Sequence, residues 1–209
     1  GRFTLRLSDR TLDVRLSTMP SQYGESVVMR LLGQGSALRR LGDIGMPDDM
    51  LKRFRELLGR DSGMILVTGP TGSGKTVSLY TCLNLLNKPG VNIATAEDPS
   101  EINLPGVNQV NVNDKAGLNF SAALKSFLRQ DPDIIMVGES RDKETVSMGV
   151  EASLTGHLVF STLHTNSAPE SITRLLDMGM DPFNFADALL GILAQRLAKR
   201  LCDCKQPYT

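Results

Sequence analysis

Residues 69–76 read Gly-Pro-Thr-Gly-Ser-Gly-Lys-Thr and match the phosphate-binding loop pattern G-x-x-x-x-G-K-[ST]. Glycines let such a loop turn tightly, so that its N–H groups can converge on phosphate oxygens. Lys75 would add a positive charge beside the β- and γ-phosphates, and the Thr76 hydroxyl can ligate Mg²⁺. An apolar run at 64–68 and a helical pattern at 77–86 flank the loop, which favours a site at a helix N-terminus over a flexible glycine turn. The predicted nucleotide-contacting residues are Gly69, Pro70, Thr71, Gly72, Ser73, Gly74, Lys75, Thr76 and Val77.

Composition is consistent with one substantial α/β domain and a small second unit. The 209 residues are 41% hydrophobic, and 23 basic residues balance 23 acidic ones, so the formal net charge is zero. A neutral chain lacks the basic excess that is typical of nucleic-acid binding. The three cysteines are too few for a disulfide scaffold and suit a reducing compartment. The apolar stretches span only a handful of residues, whereas a membrane helix needs about 20.

Two parts separate along the chain. Alternating apolar and polar residues over 1–32 predict antiparallel strands of one small sheet. From about residue 47, helical patterns alternate with short apolar strands, which predicts a parallel sheet with helices on both faces. The predicted strands lie near 64–69, 91–96, 133–138 and 158–163, and the predicted helices near 48–58, 75–87, 119–130, 142–154, 168–178 and 183–199. Because the chain begins without Met and already in strand-like sequence, we expect it to be a fragment of a longer protein.

Acidic residues follow two of the predicted strands. Glu97, Asp98 and Glu101 come just past the strand near 91–96, and Glu139 follows the apolar run that starts at Asp133. Ligands bind at the carboxyl ends of the strands in an open parallel sheet. The first group alone would be as typical of a solvated acidic turn, but a second acidic strand end favours a functional site. A carboxylate at the position of Glu139, as in a Walker B element, can hold Mg²⁺ or orient the attacking water.

The chain has only two histidines, and both belong to one predicted strand. His164 lies at its carboxyl end, where it can sense or contact a γ-phosphate. His157 lies at the opposite end, where a role in packing or at an interface is favoured. An isolated histidine is more often structural than functional, so the prediction for His164 depends on its strand being a neighbour of the site.

The longer motifs follow one another in a recognisable order. After the phosphate loop come Thr-x-Glu-Asp-Pro-x-Glu at 95–101, Arg-Gln-Asp-Pro-Asp-Ile-Ile-Met-Val-Gly-Glu-x-Arg-Asp at 129–142, and Thr-Gly-His-Leu-Val-x-Ser-Thr-Leu-His-Thr at 155–165. This order resembles the secretion ATPase superfamily, the hexameric motors of type II secretion and type IV pilus assembly. The resemblance runs from about Leu12 to Pro207. It implies a RecA-like P-loop NTPase core with a mostly parallel sheet, preceded by part of a small antiparallel-sheet α+β domain.

The resemblance also implies domains and residue roles. Residues 1–35 would be the end of a small PAS-like domain, 36–46 a linker, and 47–209 the motor domain. Mg·ATP would be hydrolysed, with Glu101 as the general base that positions the lytic water and Glu139 acting on Mg²⁺ and water. Mg²⁺ would be held with ATP by Thr76 and Glu139.

The same resemblance implies a function for two N-terminal arginines. Arginines equivalent to Arg15 and Arg30 reach the nucleotide phosphates when the small domain closes over the motor core. A guanidinium is always charged and can donate two parallel hydrogen bonds, so it can neutralise charge on the phosphoryl oxygens. A solvated strand face remains the alternative, and it is the favoured interpretation for Arg2, Arg6 and Arg10.

The C-terminal cysteines depart from the family pattern. Assembly-type members carry two Cys-x-x-Cys pairs that bind a structural zinc, whereas this chain has Cys202-Asp-Cys204 and no second pair. Tetrahedral zinc needs four ligands, so we expect no complete zinc site here, and zinc only in the full-length protein. The half-site still favours the assembly or secretion branch over the retraction branch.

The expected partners are other copies of the chain, in a homo-hexamer, and the inner-membrane platform and recruiting proteins of the machine. The expected location is cytoplasmic, peripheral to the inner membrane, with no nucleic-acid partner. Two alternatives stay open. One is a nucleotide-switched scaffold without useful turnover, which the intact Lys75, Glu101 and Glu139 disfavour. The other is a P-loop motor acting on DNA, which the neutral charge disfavours.

Overall fold

The computed structural model describes residues 1–8, 11–33, 40–199, 201–202 and 204–206. The chain divides into a first unit, Gly1–Arg39, and a second unit, Arg40–Thr209. The start of the predicted linker at 36–46 lies outside the described residues, as does the end of the chain at 207–209.

The first unit contains a three-stranded antiparallel sheet. Its strands are β1 (Arg2–Arg6), β2 (Thr11–Ser21) and β3 (Gly24–Gly33), in the order β1-β2-β3. A tight turn joins β2 to β3, with φ of +129° at Gly24, a value that glycine adopts at little cost. The predicted small antiparallel sheet is confirmed.

The second unit alternates strands and helices. In chain order these are α1 (Asp48–Leu58), β4 (Gly63–Thr68), α2 (Lys75–Leu86), β5 (Ile93–Glu97), β6 (Asn108–Asn111), α3 (Phe120–Phe127), β7 (Ile134–Val137), α4 (Lys143–Leu154), β8 (Leu158–Leu163), α5 (Ala168–Asp177), α6 (Pro182–Ala188) and β9 (Leu189–Ala194). Short 3₁₀ helices cover Leu41–Ile44 and Asp114–Ala116.

The strands of the second unit form one parallel sheet with the order β6-β5-β7-β8-β4-β9. Strands β4, β5, β7 and β8 are buried along their whole length, as expected of central strands covered on both faces. The order places β8 between β4, which leads into the phosphate loop, and β7, which leads to Glu139. The carboxyl ends of these three strands therefore meet at one edge of the sheet.

Helices cover both faces of this sheet. On one face, Ala96 and Val137 join a buried cluster with Leu124 of α3 and other residues of α4 and α6. On the other face lies α2, because its Tyr80 side chain contacts Glu97, which alternates with Ala96 along β5. The predicted α/β fold, with a parallel sheet between two helical layers, is confirmed.

The predicted helix over 183–199 is wrong. Helix α6 ends at Ala188, and the next residues form β9 (Leu189–Ala194), which pairs in parallel with β4. Gly191 explains part of this result, since glycine costs a helix about 1 kcal/mol relative to alanine. A side chain at 191 would also come within 2.8 Å of Leu57 Cδ1, so the strand approaches α1 closely there.

Sequence patterns also missed the edge strand β6 (Asn108–Asn111), whose residues Asn-Gln-Val-Asn are mostly polar and half-buried or exposed.

Across the described residues, none of the helices combines the length and apolar character needed to cross a membrane.

Candidate functional site

The phosphate loop joins the end of β4 to the start of α2. Three of its glycines have positive φ, with +146° at Gly69, +79° at Gly72 and +88° at Gly74. Such angles are unfavourable for residues with a Cβ atom, so glycine is required to hold this shape. The structure thereby gives a physical reason for all three glycines of the motif.

Close packing adds a second constraint at two of these glycines. A Cβ atom at Gly69 would lie 2.3 Å from the backbone oxygen of Gln195 and 2.7 Å from Ser73 Oγ. A Cβ atom at Gly74 would lie 3.1 Å from Gln195 Nε2. Gln195, the residue after β9, therefore packs closely against the phosphate loop at both glycines.

The N-terminus of α2 differs from those of most neighbouring helices. Side chains cap α3, α4, α5 and α6, where Asn119, Asp142, Ser167 and Asp181 accept hydrogen bonds from backbone N–H groups. Helix α2 follows Gly74 and has no side-chain cap, a property it shares with α1, which follows Pro47. The first N–H groups of α2 can therefore serve a phosphate.

Ser73 gives a further sign that the loop is built for a ligand. Its hydroxyl oxygen is buried and finds no hydrogen-bond partner among the described residues. Buried polar atoms without a partner are uncommon and require an explanation. A bound phosphate group would supply that partner, so the loop fits the ligand that its sequence predicts.

Lys75 begins α2 and directs its ammonium group along the loop. Its Nζ donates to the backbone oxygens of Gly69, at 2.7 Å, and Pro70, at 3.1 Å. Partial burial lowers the pKa of Lys75, although the Glu139 carboxylate acts in the opposite direction. Glu139 therefore lies near enough to act electrostatically on Lys75. Thr76 is the second residue of α2 and is half-buried.

Gln195 is a site residue that the sequence analysis missed. Its Nε2 donates to the backbone oxygen of Ser73 at 2.6 Å, and its Oε1 accepts from Ser78 Oγ at 2.8 Å. Its backbone N–H donates to Thr68 O at 2.9 Å. Gln195 directly follows β9. Because this segment was predicted to be helical, its sequence did not indicate that Gln195 contacts the phosphate loop. The two hydrogen bonds of its side chain join the phosphate loop to α2.

Glu139 lies two residues beyond β7 and contacts the predicted residue His164 as well as Arg141. Its Oε1 is 3.1 Å from His164 Nε2, and its Oε2 accepts from Arg141 Nε at 2.6 Å. The hydrogen bond to Glu139 raises the pKa of Arg141. Glu139 and His164 come from the ends of β7 and β8, and the pairing of these two strands brings the residues together. His157, at the other end of β8, instead bonds through Nδ1 to Ala152 O at 2.9 Å.

A chain of buried hydroxyl groups connects the histidine strand to the phosphate loop. Thr68 Oγ1, just before the loop, lies 2.6 Å from Thr165 Oγ1 and donates to Thr165 O at 2.8 Å. Thr165 Oγ1 lies 2.5 Å from Ser171 Oγ in α5. These contacts fix the residue after His164 against the residue before Gly69.

The end of β5 and the segment after it contain two glutamates in different surroundings. Glu97 is buried, and Glu101 is exposed at the surface. The backbone N–H of Glu101 donates to the Tyr80 hydroxyl at 3.0 Å, whereas its carboxylate makes no hydrogen bond to any residue that the structure describes. The carboxylate of Glu101 is therefore free to meet a ligand.

Arg15 and Arg30 both lie in the first unit. They are directly opposite each other in the β2–β3 register, on the same face of the sheet. Their predicted action on nucleotide phosphates stays a prediction.

Cys202 and Cys204 are exposed, and Cys204 Sγ lies 2.8 Å from Cys202 Sγ. No group of three or more potential metal-ligating His, Cys, Asp or Glu side chains occurs within the described ranges. This finding does not bear on Mg²⁺, which usually takes one or two protein ligands together with phosphate oxygens and water.

Comparisons with known proteins agree with the geometry. The family described as Type II/IV secretion system protein matches residues 1–208. The Type IV pilus assembly ATPase PilB of Acinetobacter baylyi is 56% identical over 209 residues, which cover 99% of this chain and 36% of that protein. The Type II secretion system ATPase E of Vibrio cholerae is 53% identical, over 100% of this chain and 42% of that protein.

A solved structure is similar as well. The crystal structure of the pilus retraction motor PilT with bound ADP matches with a TM-score of 0.77 and 33% identity, over 94% of this chain and 58% of that one. The chain spans about two fifths of the length of the curated relatives it matches. The chain belongs to the Type II/IV secretion system protein family.

Proposed function

We propose that this member of the Type II/IV secretion system protein family is the ATP-hydrolysing motor part of a longer protein that drives type II secretion or type IV pilus assembly. The observation that carries the proposal is the loop at 69–76, where three positive-φ glycines lead into a helix N-terminus without a side-chain cap. The relatives named above are ATPases of those two machines, which supports the same assignment.

In this proposal the loop binds the phosphates of ATP. Backbone N–H groups of the loop and of the first turn of α2 donate to phosphate oxygens, and the orphan Ser73 hydroxyl gains a partner. Lys75 exchanges its bonds to Gly69 O and Pro70 O for the β- and γ-phosphates. Gln195 keeps the loop in its binding shape during this exchange.

Thr76 and Glu139 are the residues that would hold Mg²⁺, both with oxygen ligands of the kind that Mg²⁺ prefers. When bound, Mg²⁺ neutralises part of the charge on the β- and γ-phosphate oxygens. His164 and Arg141 orient the Glu139 carboxylate, one at each oxygen. Through Glu139, in this proposal, His164 responds to the state of the γ-phosphate.

Glu101 is the proposed general base. Its exposed carboxylate accepts a hydrogen bond from the attacking water and takes up the water proton as the oxygen attacks the γ-phosphorus in line with the leaving oxygen. The bond between the β–γ bridging oxygen and the γ-phosphorus breaks, which gives ADP and inorganic phosphate. Glu97 cannot perform this task, because its carboxylate is buried and already accepts several hydrogen bonds.

Two substitutions in this chain test the proposal. Lys75→Ala removes the loop cation, so we expect weak ATP binding and no hydrolysis. Glu101→Gln keeps the size of the side chain but not its basicity, so we expect normal ATP affinity and a rate lower by about 10² or more. Lys88→Ala and Glu56→Gln, which change exposed charges elsewhere, are the matched controls.

The measurements are ATP affinity by calorimetry and single-turnover cleavage of radiolabelled ATP. If Lys75→Ala hydrolyses ATP like the wild type, the nucleotide assignment is wrong. If Glu101→Gln loses affinity and rate equally, Glu101 acts in binding or folding. A wild type that binds ATP tightly but never cleaves it, even in an enforced hexamer, would favour the alternative of a nucleotide-switched scaffold.

The second part of the proposal concerns assembly. We place the chain in a homo-hexamer at the cytoplasmic side of the inner membrane, together with platform proteins of the machine. Like charges directly opposite each other destabilise a sheet, so the cross-strand pair Arg15 and Arg30 suits a bound anion. We assign these arginines to the phosphates of ATP, an arrangement worth about 10³ to 10⁵ in rate.

Fusion of this chain to a six-fold scaffold tests that part. We expect turnover to rise in the enforced hexamer, and Arg15→Ala or Arg30→Ala to remove the gain without loss of the oligomer. Arg6→Ala is the control, since Arg6 is an exposed arginine of the same sheet that pairs with Thr11 instead. Equal rates in the wild type and in all three variants would show that Arg15 and Arg30 are surface charges.

A further inference from the structure

The end of β5 contains a buried carboxylate that the proposed reaction does not use. Glu97 is only 5% exposed. Thr95 Oγ1 donates to its Oε1 at 2.6 Å, and Gln109 Nε2 donates to the same oxygen at 3.0 Å. Tyr80 donates its hydroxyl proton to the other oxygen, Oε2. A buried charge is costly unless it is hydrogen-bonded, and these three donors meet that requirement.

Tyr80 also reaches the candidate general base. Its hydroxyl oxygen accepts the backbone N–H of Glu101 at 3.0 Å. Tyr80 lies on α2, the helix that starts in the phosphate loop, and its side chain is fully buried. One hydroxyl group thus joins the phosphate-loop helix, the buried Glu97 and the backbone of Glu101.

The orientation of this hydroxyl is fixed by its neighbours. Burial, together with the Glu97 carboxylate, raises the pKa of Tyr80, so the hydroxyl keeps its proton at neutral pH. Its single proton goes to Glu97, and a lone pair on the oxygen remains for the Glu101 N–H. The Tyr80 hydroxyl therefore has one favourable orientation, in which it donates to Glu97 and accepts from the Glu101 N–H.

Gln109 holds the other end of the same loop. Besides Glu97, its Nε2 donates to Ile102 O at 2.9 Å, and its Oε1 accepts from Leu104 N at 2.7 Å. The segment from Glu101 to Leu104 is therefore attached by its backbone to side chains of α2 and β6. The Glu101 carboxylate, which has no described partner of its own, is positioned only through this backbone.

We propose that Tyr80 is a positioning residue for Glu101, and that it sets the place of the general base relative to the phosphate loop. This inference rests on the proposed ATP hydrolysis. The Tyr80 side chain is fully buried, and in this proposal it acts through the backbone of Glu101. A misplacement of a catalytic group by about 1 Å can cost 10²-fold in rate, so one hydrogen bond suffices for a measurable effect.

A purely structural role for Tyr80 predicts a different pattern. In that case the hydroxyl would matter only because it satisfies Glu97, and Thr95 would matter equally, since it donates to the same carboxylate. Thr95 makes no described contact with Glu101. Thr95→Val is therefore the matched control for Tyr80→Phe, since each removes one hydroxyl donor to Glu97 and keeps a similar shape.

We expect Tyr80→Phe to lower the single-turnover rate of ATP cleavage by about 10-fold to 100-fold, with ATP affinity within about twofold of the wild type. Thr95→Val should keep both within about threefold of the wild type, whatever its thermal stability. A wild-type rate for Tyr80→Phe, or an equal loss of rate in Thr95→Val, overturns the proposal.

Two further measurements separate this inference from the proposed function. Backbone hydrogen exchange at 98–104 needs no catalysis, and it should be faster in Tyr80→Phe than in Thr95→Val. If the wild type does not cleave ATP, the proposed function fails, while the exchange result still decides whether Tyr80 orders the Glu101 loop. If Tyr80 acts through Glu101, adding Tyr80→Phe to Glu101→Gln should lower the rate of ATP cleavage by less than about a further threefold. The reason is that the effects of residues that act as a unit are not additive. An equal loss of rate in both backgrounds overturns the inference.

Discussion

Gly69→Ala tests whether the phosphate loop depends on the close approach of Gln195. The new Cβ atom would lie 2.3 Å from Gln195 O and 2.7 Å from Ser73 Oγ, at a backbone φ of +146°. Gln195 cannot move aside easily, because its backbone N–H bonds to Thr68 O and its side chain bonds to Ser73 O. Backbone strain costs about 1–3 kcal/mol and overpacking about as much again.

If the loop changes shape to relieve this cost of about 2 kcal/mol or more, ATP affinity should fall by about 30-fold or more. Gly72→Ala tests backbone strain alone, because φ at Gly72 is +79° but a Cβ atom there meets no described atom within 4 Å. Its loss of ATP affinity should therefore be smaller than that of Gly69→Ala. Gly90→Ala has the same two properties outside the loop and should not change affinity. Calorimetric titration with ATP and ADP, alongside thermal unfolding, measures both effects. If Gly69→Ala binds nucleotide as Gly90→Ala does, the close approach has no functional consequence.

Three further predictions follow from single residues. Gln195→Leu loses the side-chain bonds to Ser73 and Ser78, so ATP affinity should fall by about 10-fold while the fold persists, as titration and circular dichroism can show; unchanged affinity would refute this role. Burial raises the pKa of Cys82 to about 12, so its thiol stays protonated at pH 8, and iodoacetamide should label the two C-terminal cysteines in the native chain but Cys82 only after urea is added. Phe160→Ala removes a fully buried side chain and should lower the free energy of unfolding by about 3–5 kcal/mol in a urea titration.

The phosphate loop could be predicted from the sequence because all of its parts are local. The strand, the glycines, Lys75 and the helix start lie within a short run of the chain, and each has its own residue signature. The meeting of Glu139 with His164 could be predicted for a similar reason. Both residues follow buried apolar strands, and the carboxyl ends of parallel strands share one edge of a sheet.

Long-range contacts could not be predicted in this way. Gln195 reaches Ser73 across 122 positions, and nothing in the local sequence indicates that contact. The run 189–194 is apolar and ambiguous between helix and strand, so tertiary pairing with β4 decides its structure. The interior glycine at 191 was the one available sign against a helix. The edge strand β6 has a single apolar residue, Val110, which is too weak a pattern to predict a strand.

The carboxylates at the sheet edge show how burial separates roles that the sequence leaves equal. Glu97, Glu101 and Glu139 all lie at or just beyond the carboxyl end of a buried strand, so position alone does not distinguish their roles. The structure gives Glu97 three hydrogen-bond donors in the interior and pairs Glu139 with His164 and Arg141. A general base needs a lone pair that a water molecule can reach. Glu97 is buried away from water, and Glu139 is held by His164 and Arg141 and assigned to Mg²⁺. Among these three, only Glu101 has a carboxylate without a hydrogen-bond partner in the described structure. We therefore propose that Glu101 takes up the proton of the attacking water.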